Sequence, residues 1–115
     1  MLERSLTSLE DVLKSCGFIR TATTGRTLAD YEADEMLRLS VERSFEIIGE
    51  ALLRVERDEP AILAAISDYR RIVGFRNRLV HGYDVIDNTI VWEIIQRNLP
   101  VLSAEVRALL NDAAE

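Results

Sequence analysis

The sequence predicts an all-α protein, an up-down helical bundle of about five helical segments. Three observations predict it. Apolar residues recur at steps of three and four through most of the chain. No segment alternates with a period of two for long enough to make a strand. The connections between periodic stretches are short and rich in turn and cap residues. A chain of 115 residues is long enough to bury one core but not two, so residues 1–115 are expected to form a single domain.

Leu2, Leu6, Leu9, Leu13 and Cys16 mark one face of a first helix, with Gly17 as its expected end. Thr21 to Thr27, with Gly25 among them, reads as a loop, and Thr27 or Asp30 is placed to cap the next helix. Leu37, Val41, Phe45, Ile48, Leu52 and Val55 define a second, longer helix. Ile47, Ala51 and Leu53 widen its apolar surface, so it should touch neighbours on more than one side. It should end near Asp58, because Pro60 disfavours helical geometry at Glu59. Pro60 can open a short helix through Ile66. A fourth helix carries Tyr69, Ile72, Val73, Arg76, Leu79 and Val80. After a turn at Asp84 to Asn88, capped by Asp87 or Asn88, Ile95, Leu99, Leu102, Val106 and Leu109 repeat along the last helix. Pro100 should kink that helix or start a new segment, and Trp92 reads as core.

Composition narrows the function. No apolar run approaches the ~18 residues a membrane span needs, and the N-terminus has no signal-peptide core. Cys16 is alone on an apolar stripe, which suits a small core residue. These features lead us to expect a cytoplasmic protein with no membrane partner. A net charge of −6 argues against a surface that coats nucleic acid. It leaves room for a local basic site that engages a few phosphates.

Tyr69 to Tyr83 is that neighbourhood. It holds Arg70, Arg71, Arg76 and Arg78 and the chain's one histidine, His81. Arginine presents a planar, permanently charged fork to phosphate oxygens, and histidine can exchange a proton near neutral pH. On a regular helix Arg76 and His81 lie roughly 140° apart, so one copy of a straight helix would not aim both at one phosphate. Either the backbone departs from helical near His81, before Gly82, or two copies form a dimer in which each Arg76 approaches the other's His81. Asn77 and His81, four apart, are neighbours, and Asn77 could orient the imidazole. On residue statistics alone, Arg76 pairs with Glu46 or Glu50, His81 is a cap or surface residue, and Tyr83 packs. Glu46 and Glu50 share a face, but with a single histidine a metal site is not expected.

The spacing Arg76, Asn77, His81, Tyr83 resembles the Arg-X4-His-X-Tyr motif of HEPN-domain ribonucleases, specifically the HepT-like toxins encoded beside a minimal nucleotidyltransferase antitoxin. The stretch from Glu42 to Ala51 is similar to that family's long central helix, and Val91 through Pro100 to its C-terminal helix. The least family-like part is Phe18 to Thr27. The resemblance implies a HEPN-like fold and a metal-independent endoribonuclease that needs no cofactor and takes RNA as substrate. It implies catalytic roles for Arg76 and His81 and a supporting role for Asn77, while the broad apolar surface of Leu37 to Val55 and the divergence of Arg76 and His81 lead us to expect a homodimer with both motifs facing a shared cleft. It also implies a partner nucleotidyltransferase that silences the enzyme by adenylylating Tyr83. Two other classes fit the same residues: a module that holds nucleotide or RNA without cutting it, and the antitoxin subunit of a nucleotidyltransferase.

Overall fold

The computed structural model describes residues 1–81 and 85–115. Among them are α1 (Glu3–Thr23), α2 (Leu28–Ala33), α3 (Glu35–Asp58), a 3-10 helix (Pro60–Ala65), α4 (Tyr69–His81), α5 (Asn88–Glu93), a π turn (Ile94–Asn98) and α6 (Leu99–Ala114). The fold is an all-α bundle, as the periodicity predicts. α3 is its centre. Val41, Phe45, Ile48, Ala51, Leu52 and Val55 are fully buried, and α1 and α4 pack along its two sides. α1 contributes Leu9, Val12 and Ile19, while α4 contributes Ile72, Phe75 and Leu79. α6 closes the bundle against α1 through Leu99, Leu102 and Val106.

Two boundaries differ from the sequence expectation. α1 runs six residues past Gly17, which is an exposed interior position where no neighbour would meet a side chain. The first helix therefore turns a different face inward. Leu2 is exposed and Leu6 and Leu13 are half-buried, whereas Ser5, Ser8 and Ser15 are buried beside Leu9, Val12, Cys16 and Ile19. Small hydroxyl residues let the α1 backbone lie close to α3, and Ser8 also accepts a hydrogen bond from Arg54 Nε at 3.2 Å. The turn shrinks to residues 24–27, with Gly25 at φ 78°, a left-handed conformation that glycine adopts without cost.

Thr27 and Asp30 do cap a helix, but a short one. They form a reciprocal capping box at the start of α2. The long helix begins afresh at α3, where Asp34 accepts a hydrogen bond from the Leu37 amide at 3.0 Å. At the other end α3 stops at Asp58, and Pro60 opens the 3-10 helix. Asp87 caps α5 through the Thr89 amide. Before Pro100 the last helix widens: Leu99 N–H donates to the Ile94 carbonyl, five residues back. Trp92 is half-buried and packs against the buried Tyr31 ring at 5.6 Å between centroids.

Candidate active site

α4 is seated on α3 by its apolar side. Phe75 meets Phe45 edge-on at 5.1 Å, and Ile72 and Leu79 are buried one turn to either side. That docking sets the height at which Arg76, the next residue, meets α3. It meets it at Gly49. A Cβ at position 49 would lie 2.3 Å from both Cβ and Cγ of Arg76, closer than atoms can approach. Gly49 is thus the gap into which the Arg76 stem fits. An interior glycine costs a helix about 1 kcal/mol relative to alanine, and here the close approach of two helices is what it permits. Motif and periodicity do not single out Gly49. Its signal in the sequence is that cost, in the middle of an otherwise strong helix.

The guanidinium is held at its edges. Arg76 Nη1 donates to Asn77 Oδ1 at 2.9 Å, and Nη2 lies 3.9 Å from Glu50 Oε1. Its Nε is buried without a hydrogen-bond partner among the described residues. Glu50 also faces Arg43 at 3.7 Å, and Arg43 bonds Glu46 at 3.1 Å. A chain of alternating charge therefore runs Glu46, Arg43, Glu50, Arg76 along the α3–α4 seam. Glu50, of the two carboxylates expected for Arg76, is the one that engages it. The contact is too long for a hydrogen bond, so the guanidinium is oriented but not tightly neutralised.

α4 is helical as far as His81, and His81 is exposed. The helix does not unwind between Arg76 and His81, so their roughly 140° divergence about the axis holds within one chain. Of the two routes by which these side chains could share a phosphate, a local departure from helix is not the one taken over these residues. The sequence spacing offers Asn77 to His81, and the contact seen is to Arg76. Arg70, Arg71 and Arg78 are exposed along the same helix, with Arg71 3.7 Å from Glu93. Gly82, Tyr83 and Asp84, and with them the departure from helix expected near Gly82, lie outside the described residues. Among the described residues no three His, Cys, Asp or Glu side chains converge, and Glu46 and Glu50 instead share Arg43.

The comparisons with known proteins bear on this arrangement directly. A family described as HepT-like, "Ribonuclease HepT-like", matches residues 12–109, which include α3, α4 and the Gly49–Arg76 seam. The chain belongs to the HepT-like ribonuclease family. It is 30% identical over 102 residues to Putative RNase TTE0752 of Caldanaerobacter subterraneus subsp. tengcongensis, covering 89% of this chain and 90% of that one. It is 31% identical to Putative RNase MJ1380 of Methanocaldococcus jannaschii, over 85% of this chain and 89% of the relative. Probable ribonuclease HepT of Thermococcus cleftensis is 27% identical over 88% of this chain and 91% of its own length. No solved structure matches the chain. Membership extends the likeness beyond the short motif to almost the whole bundle and supports ribonuclease activity. No helix among the described residues is long and apolar enough to cross a membrane.

Proposed function

We propose that this HepT-like chain is a metal-independent endoribonuclease and the toxin of a toxin–antitoxin pair. The observation that carries the catalytic part is the seating of Arg76. Its stem is fixed in the Gly49 gap and its fork is oriented by Asn77, yet its carboxylate partner stands 3.9 Å away. A phosphate can displace so loose a partner without unfolding anything. In the reaction, His81 takes the proton of the RNA 2′-hydroxyl and that oxygen attacks the adjacent phosphorus. Arg76 stabilises the charge gathering on the non-bridging oxygens. The bond to the 5′-oxygen breaks, and the partner copy's imidazole, protonated, supplies the proton that oxygen needs. The products are a 2′,3′-cyclic phosphate and a 5′-hydroxyl.

The helical run from Arg76 to His81 favours a site assembled from two copies, with the two α4 helices facing one cleft. Arg76→Ala and His81→Ala should each lower cleavage by about 10²-fold or more while the circular dichroism spectrum stays helical. The test is cleavage of a defined RNA in excess chelator, with the ends of the products identified. Loss of cleavage on chelation, restored by magnesium, overturns the mechanism.

Silencing is proposed to occur through Tyr83, two residues beyond His81 in sequence. The support is the resemblance of the motif to that of the toxins. An adenylyl group there would bring a phosphate to the arginines of α4 and exclude RNA by size and charge. Tyr83→Phe should still cut RNA but escape neutralisation by a minimal nucleotidyltransferase with ATP, read by intact mass spectrometry. Modification at another residue removes Tyr83 from the role. In a second reading the same Arg76 and His81 hold RNA or a nucleotide without cutting it. Tight binding with no products over hours would favour it.

A further inference from the structure

A groove of about 790 Å³ lies between the C-terminal half of α1 and the stretch running from the π turn into α6. No residue of α3 or α4 lines it, so it is separate from the Arg76 site. Its lining is part apolar and part basic, with both kinds supplied from each wall. Leu13, Cys16, Ile95, Leu99 and Pro100 make up the apolar side of that chemistry. Burial pushes the Cys16 thiol up to about 12, so that side carries no charge. Arg20, Arg26 and Arg107 also line the groove, and no aspartate or glutamate does. Acidic residues make up 20 of 115 in this chain, so a lining free of them is a marked local reversal of charge. Arg26 is 3.5 Å from Asp34, which lies outside the lining. Arg20 and Arg107 are exposed and have no ion pair among the described residues.

We propose that this groove binds a small organic phosphate. Arg20 and Arg107 take the phosphate oxygens, the apolar side takes the organic body, and the amides of Gln96 and Asn111 are placed for its polar groups. The volume falls within the roughly 300–1,000 Å³ of small-ligand pockets. A single strand of RNA fits less well, because its bases bind by stacking on aromatic rings and the lining has none. The proposal is independent of the ribonuclease reading, which uses different residues.

Calorimetric titration of the full chain with phenyl phosphate, inorganic phosphate, citrate and a short single-stranded oligoribonucleotide tests it. Phenyl phosphate should bind one to one and more tightly than inorganic phosphate, since it alone also fills the apolar side. Arg20→Ala and Arg107→Ala should each weaken it about tenfold. Both positions are exposed, so both variants should keep the wild-type melting temperature. The proposal is overturned if phenyl phosphate binds no tighter than about 1 mM, or binds the two groove variants as well as the wild type. Tighter binding of citrate than of phenyl phosphate, or oligoribonucleotide binding that Arg20→Ala or Arg107→Ala weakens, overturns it equally.

Discussion

At the scale of single residues, the tightest constraint is the pair Gly49 and Arg76. Gly49→Ala gains about 1 kcal/mol of helix propensity but forces a Cβ against Arg76 Cβ, an atom that cannot swing away because it is fixed to the α4 backbone. Overpacking of that kind costs about 1–3 kcal/mol, so the clash should win and the melting temperature should fall. Cleavage should fall further than stability does, because the displaced residue is Arg76 itself. A Gly49→Ala protein with wild-type melting temperature and activity would remove Gly49 from this role. A second residue-scale effect concerns pH. The Leu2 amide donates to Glu59 Oε1 at 2.6 Å, and that hydrogen bond holds the Glu59 carboxyl below its usual 4.5. A depressed carboxylate stabilises the fold fully above its unfolded value and loses that contribution as pH falls through the folded one. Amide exchange at the start of α1 should therefore accelerate, beyond its intrinsic pH dependence, as the solution is acidified below about 4.5. In Glu59→Gln that extra acceleration should be absent.

At the scale of elements, caps and packing overrule simple periodicity. Threonine and aspartate at positions 27, 30 and 34 are all cap-forming types, and all three are used, but for two helices rather than one. Asp34 ends α2 and begins α3, and it also faces Arg26. Asp34→Ala should cost about 1 kcal/mol by urea denaturation, typical of a lost N-cap. A neutral result would mean that packing alone sets the start of α3. Gly17 does not act as a stop signal because nothing there demands a left-handed backbone, and the helix simply continues. Pro100 acts as expected, since it has no N–H for the preceding turn, and the helix widens just ahead of it.

At the scale of the whole molecule, α3 reaches beyond its own core. Met36 and Leu39, on its first turns, are 81% and 58% exposed. Together with the divergence of Arg76 and His81, this surface predicts a homodimer. Light scattering at low micromolar concentration should give twice the 13.0 kDa chain mass. Leu39→Glu should shift that mass toward one chain and lower cleavage in step. A monomer that still cuts RNA would end the two-copy site.

By itself the sequence determined the all-α class, the central position of the long helix, most of the buried α3 and α6 positions, and Glu50 as one of two candidate partners for Arg76. All of these obey local rules, because a period near 3.6, a proline or a capping side chain acts within a few residues. Tertiary structure decided whatever depends on a second helix. The serine-bearing face of α1 is buried because α3 lies close against it, and no hydropathy pattern marks serine as core. Gly49 matters because Arg76, twenty-seven residues later in the chain, passes over it. The arginine groove exists because α1 and α6 come together with their acidic residues turned elsewhere. In each case the physical cause is the distance between two segments, which the folded chain sets and periodicity does not encode.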